Sequence, residues 1–450
     1  VLENLRSAID GVEWPAIPTA GGGAMLAALF QLEQSQWLAP PELWRLQRRQ
    51  LARVLRHAVQ TCPFYAGRSG PDIARLPADF TLEQFASLPL LTRRDVQLHF
   101  ADIASRSLPP GHGQVHAGST SGSTGQPVRY QTTDLAAFFW QAFNLRDHLW
   151  HRRDFSLKLA TIRSGTQAQR LDNWFGDVGD TTLRTGPCVL IPMDVPIEEQ
   201  ARSVMAEDPA YLTGHANNLV ALLAAVEKQG GRLPGLKQVR CLGEAVPEEA
   251  RRYVADHWGV PLVDLYSTRE SGYVALQCPD HDHYHLQAES MLVEVIDDAG
   301  KPCAPGETGS VVVTPLHNFA FPLIRYALGD IAEVGDPCPC GRGLPVLRRI
   351  LGRSRNLMKF PDGSSRWPVF GIPGFLSIAP IRQFQFVQRS LEELEIRLAV
   401  ERPLTPQEQQ RFGEHVIAQL RHPFRLNWVF LQEIPRPPSG KFEDFFRDFD

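Results

Sequence analysis

The chain has 450 residues, 43% of them hydrophobic, and a formal net charge of −4. That length exceeds one hydrophobic core and predicts two or three domains, while the interspersed charges exclude the basic face of a nucleic-acid binder. No apolar run is long enough to span a membrane, "GGGAMLAALF" lacks the length and basic flank of a signal peptide, and seven irregularly spaced cysteines argue for a reducing, cytoplasmic setting over a disulfide framework.

Residues 41–60, "PELWRLQRRQLARVLRHAVQ", repeat apolar positions at helical spacing with a basic opposite face. "TCPFYAGRSGPD" reads as a turn. A loop, "AGSTSGSTGQPVRY" at 117–130, precedes "DLAAFFWQAFNLRDHLW", an aromatic-rich helix. "NNLVALLAAVEKQGG" predicts a helix stopped by glycine. "KQVRCLGEAVPEEARRYVADHWGVPLVDLYS" reads strand, turn, helix, strand, the βαβ logic of a parallel sheet. From about 289 the alternation "MLVEVIDDAGKPCAPGETGSVVVTPL" predicts antiparallel strands around Gly/Pro turns. Past about 353 a compact α+β unit reads β, β, α, β. The predicted organisation is α/β: a large N-terminal domain, 1–352, with parallel βαβ sheets and a small β-barrel-like part, then a small mobile α+β domain, 353–450.

The loop at 117–130 suits neither strand nor helix. Alone it could be a linker. Its other reading is a phosphate cradle, because glycines admit close backbone approach and successive N–H groups with Ser/Thr hydroxyls satisfy phosphate oxygens. The G-K-[ST] ending of a P-loop is absent. "CPDHDHYH" at 278–285 and "CPCGR" at 338–342 have the chemistry of a structural zinc site, which takes four N/S ligands. Buried free thiols and surface histidines are the bland alternative.

Five further stretches follow the loop in order: "GEAV" at 243–246, "YSTRES" at 266–271, "PLIRYALGD" at 322–330, "GRSRN" at 352–356 and "PRPPSGK" at 435–441. Each is weak alone. Together the six resemble the adenylate-forming superfamily, the acyl- and aryl-CoA synthetases, over nearly the whole chain. "LQRRQLARVLRHAVQTCPFY" and "CPCGR" narrow the resemblance to the phenylacetate–CoA ligase-like branch. The resemblance implies an ATP-dependent, AMP-forming ligase that activates a carboxylic acid, expected to be aromatic, as acyl-adenylate with release of pyrophosphate and passes the acyl group to CoA. Two alternatives stand beside it. One is adenylation with a non-CoA acceptor (amine, hydroxyl, carrier-protein thiol or other small nucleophile), and the other is a non-catalytic nucleotide- or zinc-binding scaffold.

The resemblance also implies roles. Ser119, Thr120, Ser121, Gly122, Ser123, Thr124 and Gly125 would hold the β- and γ-phosphates of ATP. Gly243, Glu244, Tyr266 and Ser267 would border the nucleotide, with Tyr266 against adenine. Glu270 would hold Mg²⁺, Asp330 and Arg353 would reach the ribose, and Lys441 would touch the carboxylate and α-phosphate. Phe139, Trp140, Phe143, His215, Ala245 and Gly272 would line the acid pocket. Relatives in the branch imply Cys278, His285, Cys338 and Cys340 as zinc ligands, with His283 the second choice of histidine. The expected partners are a small carboxylic acid and CoA or another acceptor, with no nucleic acid and no membrane, and dimerisation is left open.

Three departures from the family pattern stand out. Ser267 and Arg269 replace a glycine and a hydroxyl residue beside the tyrosine and the metal glutamate, and Arg269 could reach the α-phosphate or an anionic substrate. Gln126 stands where lysine is common. The hinge, usually acidic, reads Ser354, Arg355, Asn356, which puts the thioester-forming half-reaction in question.

Overall fold

The structure, a computed structural model, describes residues 4–120, 128–174, 183–366, 368, 370, 378–435 and 443–449. It divides into two compact units, Val1–Leu351 and Gly352–Asp450.

The first unit opens with helices α1 (Ala20–Ser35) and α2 (Pro40–Thr61). Leu43, Leu51, Val54, Leu55 and Ala58 form the buried stripe of α2, at the spacing the sequence predicts. Five short helices follow: α3 (Pro63–Arg68), α4 (Gly70–Arg75), α5 (Leu82–Ala86), α6 (Arg93–Leu98) and α7 (Phe100–Ile103). The segment expected to be a simple turn is thus two short helices. Pro63 and Pro71 stand at their starts, where a missing N–H costs nothing and φ is preset.

Strands β1 (Val115–Ser119) and β2 (Arg129–Thr133) form an antiparallel hairpin that leads into α8 (Asp134–Trp150). Thr133 Oγ1 caps α8 by accepting from the Ala136 amide at 3.2 Å. The chain then runs β3 (Leu159–Arg163), β4 (Gln169–Leu171), β5 (Cys188–Pro192), α9 (Ile197–Glu207), β6 (Tyr211–Gly214), α10 (Ala216–Lys228), β7 (Gln238–Leu242), α11 (Glu248–Trp258) and β8 (Leu262–Thr268). Leu219, Leu222, Leu223 and Val226 bury one face of α10 in the core beside β6 and β7. Gly259 at φ +68° ends α11 in the left-handed conformation that suits glycine.

Antiparallel strands complete the unit: β9 (Gly272–Gln277), β10 (Tyr284–Leu286), β11 (Met291–Ile296), β12 (Thr308–Pro315), β13 (Tyr326–Val334) and β14 (Val346–Arg353). All belong to one twelve-stranded sheet, ordered β11-β12-β13-β14-β10-β9-β8-β7-β6-β3-β5-β4. Strands β5, β3, β6, β7 and β8 are parallel neighbours. The part expected to be barrel-like is the antiparallel half of this continuous sheet.

The second unit holds a 3-10 turn at Ser354–Asn356, a small ladder of β15 (Met358–Lys359) and β16 (Ser365–Arg366), and β17 (Ile381–Gln388), β18 (Glu393–Val400), α12 (Pro406–Leu420), β19 (Arg425–Phe430) and β20 (Phe445–Arg447). The four-stranded order is β19-β18-β17-β20. Thr405 and Glu408 form a reciprocal capping box at the start of α12, whose Phe412 and Val416 pack on Phe386 and Ile396. The expected β, β, α, β order is present. A three-residue strand, β20, adds to it beyond what so short a tail segment reveals. The mixed α/β layout, a large domain before a small α+β one, is the one the sequence predicts.

Candidate active site and metal centre

Because β6, β7 and β8 are parallel, their carboxyl ends share one edge of the sheet, where open α/β sheets bind ligands. His215 follows β6, Gly243, Glu244 and Ala245 follow β7, and Tyr266 and Ser267 close β8. Gly243 sits at φ +81°, which lets the chain turn sharply past the strand end. Glu244 accepts from Asn217 Nδ2 at 3.1 Å, and His215 Nδ1 lies 3.6 Å from its other oxygen. His215 is half-buried beside this carboxylate.

The Tyr266 hydroxyl donates to Asp330 Oδ2 at 2.5 Å, both residues being buried. Two motifs 64 residues apart in sequence therefore meet at one point. Glu270 is buried in the turn between β8 and β9, next to exposed Arg269. Burial pushes the Tyr130 phenol up, Arg269 opposes that and Glu270 adds to it, so β2 carries Tyr130 to the same turn. Ser119 ends β1. Thr120 closes the hairpin stem, its N–H donating to Val128 O at 2.9 Å and its Oγ1 accepting from Val128 N at 3.1 Å. Ser121, Gly122, Ser123, Thr124 and Gly125 lie outside the described residues, as do Gln126 and Lys441.

Helix α8 contributes aromatic rings. Phe139 stacks on His317 with centroids 3.7 Å apart and planes 8° apart. Burial pushes the His317 pKa down to about 4, so the ring is neutral at pH 7. Trp140 packs on Tyr273 at 4.8 Å. Phe143 is 1% exposed and sits in the core cluster, unlike the half-buried Phe139 and Trp140. Gly272, at φ +102°, starts β9 immediately before Tyr273.

In the second unit, Arg353 ends β14 just before the 3-10 turn Ser354–Asn356, the segment expected to be a hinge. Arg355 forms an ion pair with Glu443 and lies 5.4 Å from the Phe446 ring centroid. Arg355 is therefore tied to the described segment that begins at Glu443.

A second cluster stands around β10. The ligand atoms of Cys278, His283, His285 and Cys338 all lie within 4.8 Å of one another. Cys278 Sγ and Cys338 Sγ are 3.8 Å apart. Two thiolates on a tetrahedral Zn²⁺ at about 2.3 Å each would be about 3.8 Å apart, so the donor set fits that ion. The buried Nε2 of His283 has no hydrogen-bond partner among the described residues. Cys340 Sγ is 3.5 Å from His285 Nε2 and accepts from Arg342 Nη1 at 3.3 Å. Five donors thus converge where four were expected, and His283 joins the mutually close group alongside Cys278, His285 and Cys338. Burial pushes the His285 pKa down to about 3, the neutral form a metal ligand requires.

Tyr130, Asn144, Tyr273, His317 and Arg342 were not among the expected site residues. Arg342 stood inside the quoted "CPCGR" and Tyr273 one residue after Gly272, but neither has a chemical signature that sets it apart from core or surface.

Residues 375–447 match the CapK C-terminal domain. A 2-hydroxyisobutyryl-CoA ligase solved in the postadenylation state with R3-HIB-AMP superposes with a TM-score of 0.70 at 17% identity, covering 92% of this chain and 91% of that one. The chain has the fold of the adenylate-forming CoA ligases. Its curated homologues are phenylacetate–CoA ligases. That of Thermus thermophilus is 26% identical over 385 residues, covering 80% of this chain and 82% of its own. That of Escherichia coli is 25% identical over 422 residues, covering 87% and 90%. No described helix is long and apolar enough to cross a membrane.

Proposed function

We propose that this chain is an ATP-dependent, AMP-forming acid–thiol ligase. The observation that carries the reading is the pairing of Tyr266 with Asp330 at the carboxyl edge of β6–β8, in a fold shared with CoA ligases. A substrate carboxylate attacks the α-phosphorus of ATP, the bond to the β,γ-phosphates breaks, and pyrophosphate leaves. A thiol, CoA in this reading, then attacks the acyl carbonyl and AMP departs.

Ser119, Thr120 and the loop 121–125 cradle the β- and γ-phosphates. Tyr266 lies against adenine, and its hydroxyl holds Asp330 for the ribose, which Arg353 also contacts. Gly243, Glu244 and Ser267 border the nucleotide. Glu270 would hold Mg²⁺, which supplies charge neutralisation on the phosphates. Arg269 and Lys441 supply positive charge toward the α-phosphate and the carboxylate, where preorganised charge lowers the barrier. Phe139, Trp140, His215, Ala245 and Gly272 bound the acid, and Phe143 backs them. The flat rings of Phe139 and His317 suit an aromatic acid. A structural Zn²⁺ would be held by Cys278, His285 and Cys338, with Cys340 or His283 completing the tetrahedron. Residues 1–352 carry adenylation, and 353–450 form the mobile lid.

A non-CoA acceptor is favoured by one observation: the hinge carries Arg355, paired with Glu443, where the resembled family has an acidic residue. The test is pyrophosphate release with ATP and Mg²⁺ against a panel of aryl, heteroaryl and alkyl acids, each with and without CoA. Release for one acid class that is lost in Lys441→Ala supports the ligase. ATP binding without release for any acid supports a scaffold without catalysis.

A further inference from the structure

Three elements that border the proposed acid site meet in a buried polar knot. Tyr273, on β9, donates its hydroxyl to Asn144 Oδ1 at 3.0 Å. Arg240, on β7, donates Nη2 to the same oxygen at 2.5 Å. One amide oxygen, with its two lone pairs, thus serves both donors. Asn144 stands one helical turn after Trp140 on α8, and the Trp140 ring rests on the ring of Tyr273. Asp147, the next inward position, accepts from Arg240 Nε at 2.8 Å and from Arg153 Nη1 at 2.7 Å. Asn144, Asp147, Arg240 and Tyr273 are each at most 4% exposed.

The placement gives the knot a purpose beyond general stability. Arg240 lies three residues before Gly243, and Tyr273 directly follows Gly272. Asn144 fixes the part of α8 that carries Phe139 and Trp140. Apolar residues would fill this volume at lower desolvation cost, whereas a polar knot permits one arrangement of the three elements, because each donor demands its acceptor. We infer that Tyr273, Asn144 and Arg240 are positioning residues that hold Trp140 as a fixed wall of the acid pocket, and that this wall selects flat acids over branched ones. The inference rests on the proposed ligase reading for what the pocket holds.

Tyr273→Phe removes one hydrogen bond and keeps the ring that Trp140 touches. The acid KM rises about fivefold to tenfold, the scale of one lost hydrogen bond, with the ATP KM unchanged and a branched aliphatic acid gaining on an aromatic one. Asn144→Leu gives a larger shift in the same direction, and Asn144→Asp, which keeps an oxygen acceptor, restores acid selectivity toward that of the parent. Hydrogen exchange of the peptide spanning 138–143 reads the positioning independently of turnover and accelerates in Tyr273→Phe. Unchanged exchange there, or acid and ATP KM values that move together, overturns the inference. A parent chain inactive toward every acid refutes the ligase reading and, with it, the assignment of the wall to an acid pocket. Exchange then still decides whether the knot holds α8.

Discussion

A single hydroxyl–carboxylate contact joins the two halves of the proposed nucleotide site. Tyr266 on β8 and Asp330 on β13 are both buried, and a 2.5 Å bond from the phenol to the carboxylate joins them. Asp330→Asn keeps the shape and removes the charge. It is expected to raise the ATP KM by about tenfold or more, the scale of a charge-assisted hydrogen bond, with little change in kcat; unchanged ATP affinity would detach Asp330 from the nucleotide. Two other buried carboxylates behave oppositely. Arg153 and Arg240 offset the burial of Asp147 and hold its pKa well below the usual carboxylate range. Replacing it with Asn removes the negative charge that two buried guanidinium groups share, and urea denaturation should register a loss of about 3–5 kcal/mol. Burial instead pushes Asp264 up to about 7, even with Arg251 at 4.0 Å and the Tyr284 hydroxyl donating at 2.8 Å. A folded-state pKa above the unfolded value means stability that is full below about pH 4 and is lost as pH rises through 7. Asp264→Asn is therefore expected to gain in Tm relative to the parent between pH 5 and pH 8. A difference that stays flat with pH would show that Asp264 stays charged throughout.

Elements show where local sequence rules suffice and where they stop. Helices α2 and α10 were legible because their apolar residues recur at helical spacing over three or more turns. The two short helices after Thr61 were not, since a proline-started turn of six residues reads like any turn. The cysteine–histidine cluster was legible as chemistry but not as a ligand set. Deciding between His283 and Cys340 depends on how the chain leaves β9 and enters β10, and the bond from Cys278 N to His283 O at 2.7 Å sets that path. The cluster clamps β9 and β10 to the segment 338–342. Metal analysis of the purified chain should find one zinc per chain, and strong chelation or Cys338→Ser should lower Tm without abolishing pyrophosphate release. A chain that purifies metal-free with an unchanged Tm would leave these side chains as packed thiols and imidazoles. At the proposed hinge, Glu443→Gln removes the carboxylate charge that pairs with Arg355, and its effect should fall more on acyl transfer than on pyrophosphate release. Equal effects on both steps would argue against a role for this pair in the second half-reaction.

At the scale of the whole molecule, six short motifs were readable because their residue types and order resemble those of the adenylate-forming ligases, and each is assigned a part of the nucleotide site in the proposed function. The fold class followed from the βαβ pattern before β8 and the alternation after it. What stayed hidden was set by tertiary packing: the shared acceptor on Asn144, the Phe139–His317 stack, and the separation of buried Phe143 from its half-buried neighbours on α8. No spacing rule encodes which of three aromatic residues on one helix faces a cavity. The central claim concerns chemistry, and one measurement reaches it directly: pyrophosphate and acyl-CoA quantified together, with ATP, Mg²⁺, CoA and a panel of aryl, heteroaryl and alkyl acids. The account predicts equimolar pyrophosphate and acyl-CoA for a class of flat aromatic acids, with both products reduced by about 100-fold or more in Lys441→Ala. Pyrophosphate without acyl-CoA would move the acceptor away from CoA, and ATP binding without pyrophosphate for any acid would contradict the claim.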